Sequence, residues 1–379
     1  MAQWCRKWRL RVNKSKSQIV HFRNMRRNRT RYRFHFDDDI LDIVPNYKYL
    51  GIILDEHLTY EKCSRALAES GGRALGAIWS KFKLMKNVGY NTYTKMFDTG
   101  VVPVLDYGSG IWGHSKFVHS EIIQNRAIRY YLGVHNFTPV PVLQGEMGWL
   151  TCKYRKPLNM IRLWNRIVKM PHDRTPRLMM EYEHSSSFEN WTKKVGTLFR
   201  RMNMGHIYEQ KLPCHLDTVR EHLLKLNEAD WGSVITTKPK LRNYIEYKHE
   251  FKKERYVVII NNKIERSLVA KLRCGILKLK IETGRFINLP LNERICELCD
   301  TGDVEDEKHF VCICPRYSNE RRAFYETLSN IDPSFSRLDS THDVFNYIVK
   351  NVDKTIAKFV LRIWNLRTNF LYNRNPGNM

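Results

Sequence analysis

The amino-acid sequence predicts an α+β fold, with a small antiparallel β segment at the N-terminus followed by a mainly α-helical body. Three observations carry that expectation. Apolar and polar residues alternate over 32–36, the apolar period lengthens to helical spacing after Asp55, and a stretch near 291–320 rich in cysteine and acidic residues interrupts the helical pattern. At 379 residues the chain can hold several domains with at least one substantial core. Apolar residues make up 42% and aromatics 12%, an ordinary globular composition that argues against wholesale disorder.

The elements come in this order. From Met1 to Phe36 there is no acidic residue, while arginine and lysine recur from Arg6 to Arg33. Within this stretch Ser17-Gln18-Ile19-Val20-His21-Phe22 reads as a strand. A basic loop over 23–30 comes next, and Tyr32, Phe34 and Phe36, alternating with Arg33 and His35, read as a second strand. Residues 40–44 and 47–54 flank Pro45-Asn46, which predicts a hairpin. The segment 47–54 is apolar on both faces toward its end, so it is expected to be one largely buried strand. Cys63, Ala66, Leu67, Ser70, Ala74, Leu75, Ile78, Trp79 and Phe82 then fall on one face of a long helix, despite Gly71-Gly72. A second helix is expected over 91–102, stopped near Pro103, and a third over 119–132, ended by Gly133. The polar side of this helical block is basic, with Lys81 and Lys83 among its cations. Residues 150–288 continue in mainly helical periodicity, punctuated by prolines. A last helix over 354–372 places Ile356, Phe359, Val360, Ile363 and Trp364 on a core-facing stripe.

The charge balance narrows the partners. Lys and Arg number 64 against 39 Asp and Glu, for a net charge of +25. Such a surface attracts polyanions, and nucleic acid gains further by releasing condensed counterions. An anionic membrane surface is the competing partner. The basic residues are interleaved with aromatics rather than displayed on one amphipathic helix, which favours RNA or DNA. No apolar run is long enough to span a bilayer, and the N-terminal residues lack the apolar core of a signal peptide. Nine cysteines without secretory context point to reduced thiols and an intracellular protein of nucleus or cytoplasm.

The most specific local pattern is Cys296-x2-Cys299-x9-His309-x4-Cys314. A Cys-x2-Cys turn lets two thiolates reach one ion, and the later His and Cys can complete a tetrahedral set. Three thiolates and one imidazole suit Zn²⁺ over harder metals. A closed set leaves no coordination position for water, so the zinc is expected to be structural. Its binding, on the order of 10 kcal/mol, would supply much of the folding energy of so small a unit. Cys312, only three residues after His309, is a more cramped fourth ligand than Cys314. The acidic run Asp303, Glu305, Asp306 and Glu307 reads as a solvated helix start.

Several blocks, in order, resemble the reverse transcriptases of jockey-type, LINE-like non-LTR retrotransposons. Trp4-Cys5-Arg6-Lys7-Trp8, with Leu10, Val12-Asn13, Lys16-Ser17, Val20 and Phe22, is similar to the segment after the family's catalytic Asp-Asp strand. Tyr47-Lys48-Tyr49-Leu50-Gly51-Ile52 resembles its primer-grip strand. Residues 103–113 resemble the family's post-thumb block, and 128–134, then Gly145-Glu146-Met147-Gly148-Trp149, continue in the family's order. Leu272-Arg273-Cys274-Gly275 and Ile281-Glu282-Thr283-Gly284-Arg285 precede the cysteine-histidine pattern as they do in these elements. The resemblance implies a palm-end and primer-grip remnant at 1–55, a thumb-like region at 56–149, a helical connector at 150–290, a CCHC zinc knuckle at 291–320 and a C-terminal helical segment at 321–379. It also implies that Lys14 and Lys16 lie near the incoming nucleotide or template, and that Tyr49, Leu50 and Gly51 position the primer terminus. Arg26, Arg27, Arg29, Arg31, Lys81 and Lys83 are further candidates for nucleic-acid contact.

The resemblance places the family's catalytic aspartates upstream of Met1, so no catalytic residue is expected here and the chain alone is expected to be inactive. Mg²⁺ would serve only an intact parent polymerase. Phe36-Asp37-Asp38-Asp39 imitates the polymerase carboxylate motif, but two-metal chemistry needs a further carboxylate from an earlier strand and nothing acidic precedes Asp37. The function expected is therefore a nucleic-acid-binding part of an RNA-directed DNA polymerase that grips template and primer, or target DNA. The alternative is a non-enzymatic, zinc-stabilised nucleic-acid-binding or assembly protein unrelated to polymerases. The sequence does not fix the oligomeric state.

Overall fold

The computed structural model describes residues 2–374, except 14–15, 37–38, 86, 116, 238–240 and 242. The α+β expectation holds: among the described residues four short strands lie within the first 55, and helices make up most of the chain beyond them. Strands β1 (Phe34–Phe36) and β2 (Asp39–Leu41) pair antiparallel, with Phe34 opposite Leu41. Strands β3 (Asn46–Tyr49) and β4 (Ile52–Asp55) form a second antiparallel pair, with Tyr49 opposite Ile52.

Three sequence expectations are corrected here. The segment 47–54 is not one buried strand but a hairpin folded at Leu50-Gly51. Both tip residues have positive φ, 47° and 87°, the signature of a two-residue turn whose twist matches that of the strands. Gly51 takes the larger angle without penalty, and the Tyr107 hydroxyl donates to the Leu50 carbonyl at 2.8 Å, holding the tip from outside. Tyr49 and Leu50 are consequently exposed, at 60% and 74%. Among the described residues Ser17–Phe22 forms no strand. It runs extended and touches the β segment through one parallel bridge, Ile19 to Ile43. Pro45-Asn46 is not the turn of a hairpin, since 40–44 and 47–54 do not pair with each other; Pro45 lies between the two hairpins, its carbonyl accepting from the Glu56 amide at 2.9 Å.

Asp55 turns the chain from sheet to helix. Its carboxylate accepts from the amides of His57, Thr59 and Tyr60 and from the Thr59 hydroxyl, at 2.9 to 3.2 Å. Helix Glu61–Met85 comes next, and its Gly71 lets Leu105 approach so closely that a Cβ would sit 2.4 Å from a leucine methyl. Helices Tyr90–Gly100 and Val118–Leu132 pack alongside, the latter ended by Gly133 in the left-handed conformation.

One large buried cluster begins here with Ala68, Leu75, Phe97 and Ile128. It continues through Leu143 and Met147 to Val269, Phe310 and Ile363, near the C-terminus. A second cluster, around Trp164, Phe199, Tyr208 and Leu223, is built by helices between 152 and 236. Within the large cluster two distant sequence blocks meet. Arg273 donates from Nε and Nη2 to both oxygens of Glu146, at 2.8 and 3.0 Å, and Tyr244 adds its hydroxyl at 3.0 Å. Burial opposes the Glu146 charge, but the Arg273 guanidinium overcomes it and holds the carboxyl below its usual range.

Candidate metal centre and nucleic-acid face

The metal centre is built on a small ladder. Ile295 bridges Val304, the Cys296 amide donates to Asp303 at 2.9 Å, and the Glu305 amide donates to Arg294 at 2.9 Å. This ladder fixes the turn that carries Cys296 and Cys299. The other two donors flank the single wide helical turn His309–Ile313, closed by the Cys314 amide donating to the His309 carbonyl at 2.8 Å. An ordinary α-helix would carry residue 314 about 140° around the axis from residue 309. The i-to-i+5 turn brings it back over His309 instead. Asp306 starts this turn by accepting the His309 amide at 2.7 Å.

The result is a compact donor set. One ligand atom from each of Cys296, Cys299, His309 and Cys314 lies within 4.8 Å of the others, and three of the four residues are buried. Four sulfur and nitrogen donors around zinc at 2.3 Å or less would stand about 3.8 Å apart, so a small contraction closes the tetrahedron. The group could hold a zinc ion. His309 Nε2 faces the Cys299 sulfur at 3.4 Å, while its Nδ1 stands 3.6 Å from an Asp303 carboxylate oxygen. A carboxylate behind a ligating imidazole fixes its orientation and raises its basicity. The Cys296 thiol, donating to Cys314 and buried, is pushed up to about 12, and the accepting Cys314 thiol is lowered. Burial opposes the charged form of His309, but hydrogen bonds to Cys296 and Cys299 win and raise its pKa. Cys312 stays outside the cluster, raised to about 11 by burial.

The supporting residues were partly missed from sequence. The acidic run is not all solvated, since Glu305 is 2% exposed and accepts from Arg367 at 2.7 and 2.8 Å. Arg321 donates to the carbonyls of Val311, Ile313 and Cys314, satisfying acceptors that the end of the wide turn leaves open. Phe310 stands edge-on to Trp364 of helix Lys354–Arg374, so the turn carrying His309 is packed onto that helix. One signal was available. Arg367 continues the apolar stripe Ile356, Val360, Ile363, and a charge on a core-facing stripe needs a buried counterion.

The candidate nucleic-acid residues are distributed along the chain. Lys14 lies outside the described residues, as do Asp37 and Asp38 of the polymerase-like triplet. Lys16, Arg26, Arg27, Arg29 and Arg31 are exposed on the extended N-terminal stretch. Arg29 is partly neutralised by donating to Glu56 at 2.7 and 2.9 Å, and Glu56 is held down to about 2, first by that bond. Tyr49, Leu50 and Gly51 form the hairpin tip next to this stretch in sequence. Lys81 and Lys83 are exposed near the end of helix Glu61–Met85, about 30 Å along its axis from the start. No helix among the described residues is long and apolar enough to cross a membrane.

Over 132 residues, 34% of the chain, the sequence is 26% identical to a protein of Drosophila melanogaster described as a probable RNA-directed DNA polymerase from transposon BS. The match covers 15% of that protein's length. The chain is thus distantly related to a transposon polymerase. No known family profile matches it, and no solved structure does.

Proposed function

We propose that this chain is a nucleic-acid-binding part of a jockey-type, non-LTR retrotransposon reverse transcriptase. In this reading it grips template and primer, or target DNA, and a structural zinc at Cys296, Cys299, His309 and Cys314 holds the distal module. The similarity to a transposon RNA-directed DNA polymerase carries the reading. The exposed arginines of the acid-free N-terminal stretch and the protruding aromatic hairpin tip support it. Residues 1–55 act as the palm-end and primer-grip remnant, 56–149 as the thumb-like region, 150–290 as connector, 291–320 as knuckle and 321–379 as its helical backing. Tyr49, Leu50 and Gly51 meet the primer terminus, while Lys14, Lys16, Arg26, Arg27, Arg29, Arg31, Lys81 and Lys83 meet phosphates.

The test is fluorescence anisotropy with labelled RNA and DNA oligonucleotides. Affinity should fall about three to four orders of magnitude between 50 and 200 mM salt, as for about eight neutralised phosphates, with little sequence preference. A flat salt response removes the phosphate-gripping reading. Incorporation of deoxynucleotides by the purified chain with Mg²⁺ in primer extension would overturn the view that this chain binds without synthesising.

A further inference from the structure

Helix Val118–Leu132 ends at Gly133 against helix Lys263–Arg273, where the Ser267 hydroxyl donates to the Gly133 carbonyl at 2.7 Å. Helix Lys354–Arg374 lies on the other side, and a cleft of about 410 Å³ opens between them. Lys263, Ser267 and Lys271 line one wall, and Leu361, Trp364 and Asn365 line the other. The lining holds two lysines and no carboxylate. Trp364 also stands edge-on to Phe310 of the metal-bearing turn, so its wall is braced from behind.

The cations of this cleft have no counterion in the fold. Lys263 and Lys271 lie on one side of their helix, about 12 Å apart along its axis. The single acid of that helix, Glu265, stands about 120° to 160° round the axis from Lys263, Ser267 and Lys271. Lys278, past the helix end, comes close enough to act on both Lys271 and His135. Burial, and then the Lys278 charge, pushes the Lys271 ammonium below its ordinary range; burial, and then Arg266, does the same to Lys263. No carboxylate offsets either shift. Glu282, the nearest acid along the chain beyond Lys278, is buried and accepts from Arg285 at 3.1 Å. Partly buried ammonium groups that face only other cations repel one another, and a polyanion laid between them relieves that repulsion.

Rings continue the cleft at both ends. Lys263 sits 4.4 Å over Tyr130, which stacks on Trp79 at 4.5 Å, and Arg126 covers Trp79 at 5.7 Å. At the other end His135 stacks on Phe137 at 5.0 Å, and Phe137 stands edge-on to Phe286 at 6.0 Å. Phe137 and Phe286 are 54% and 66% exposed. Apolar rings left in water beside lysines are the surface on which bases of an unpaired strand stack.

We propose that a single strand of nucleic acid runs along this cleft, its phosphates held by Lys263, Lys271 and Lys278 and its bases stacked on Phe137 and Phe286. The choice of nucleic acid among polyanions rests on the reading above and on these rings. The cleft itself lies on the helical body, outside the acid-free N-terminal stretch and the hairpin tip.

The test measures binding of labelled single-stranded RNA and DNA to the full chain over a range of salt. Lys263→Gln, Lys271→Gln and Lys278→Gln together should lower the slope of log affinity against log salt by about two. At 0.1 M salt affinity should drop about a hundred-fold, at roughly 0.7 of slope per lost contact with a single strand. Phe286→Ala should weaken oligonucleotide binding about ten-fold and leave binding of inorganic polyphosphate unchanged. Thermal midpoint and zinc content should match the parent in both variants. A parent-like slope in the triple variant overturns the proposal, as does polyphosphate bound as tightly as an oligonucleotide of equal charge. Mapping of 4-thiouridine crosslinks needs no substitution. It should place bases at Phe137 and Phe286, and crosslinks confined to residues 1–55 overturn the cleft. Arg26→Ala, Arg27→Ala and Arg31→Ala together separate the two readings. Binding lost in that variant but intact in the triple-lysine variant keeps the N-terminal grip and sinks the cleft, whereas absence of oligonucleotide binding by the parent sinks both.

Discussion

Asp55 joins the β segment to the helical body through a carboxylate that accepts from three amides and a hydroxyl. Burial alone would raise its pKa, but these bonds win and set it below the ordinary 3.8. Linkage sets the sign: the stabilisation is complete above pH 3.8 and is lost as pH falls through the lowered folded value. Asp55→Ala should cost about 1–3 kcal/mol at neutral pH in urea unfolding. It should also remove part of the acid-induced loss of stability that the parent shows below pH 4, and an unchanged acid limb would exclude Asp55 as its source. At the metal centre, Cys296→Ser removes one of four ligands. Zinc measured by mass spectrometry should drop from about one ion per chain toward zero. Full zinc retention would move the ion elsewhere.

At the scale of elements, the Leu50-Gly51 tip was only half legible. Gly51 permits a turn, but Leu50 sits at positive φ, where a leucine is disfavoured, and the apolar run around it argued for one buried strand. The turn is imposed from outside by Tyr107, 57 residues further on. Leu50→Asn should relieve backbone strain and raise stability by about 1 kcal/mol, measured by urea unfolding. If the tip meets a primer terminus, the same substitution should weaken RNA binding, and loss of stability instead would mean the leucine is held by contacts worth more than the strain. The helices were easier to read. The stripe from Cys63 to Phe82 and the Gly133 stop define their elements within two or three residues at each end, because helical periodicity and a glycine cap are local signals. The Cys-x2-Cys and His-x4-Cys spacing likewise named the four residues that converge. What the pattern could not show was the wide turn that makes His-x4-Cys work, or the Glu305–Arg367 clamp, since both depend on packing between remote segments.

For the whole molecule, the decisive feature is that the large core runs from Ala68 to Ile363 and includes Cys296 and Cys314. Stripping the metal should therefore reach beyond residues 295–317. Hydrogen exchange after chelation should show protection lost along helix Lys354–Arg374 as well, through Phe310–Trp364 and Glu305–Arg367. Loss confined to residues 295–317 would mean the helix holds to the core without them. The Glu146–Arg273 pair carries a different consequence, because its members stand 127 residues apart. While the ribosome is still adding the intervening residues, Glu146 has no guanidinium to meet and the apolar faces of the early helices have no cover. The nascent N-terminal half must wait, exposed to chaperones and to wrong partners, until its distant counterpart emerges.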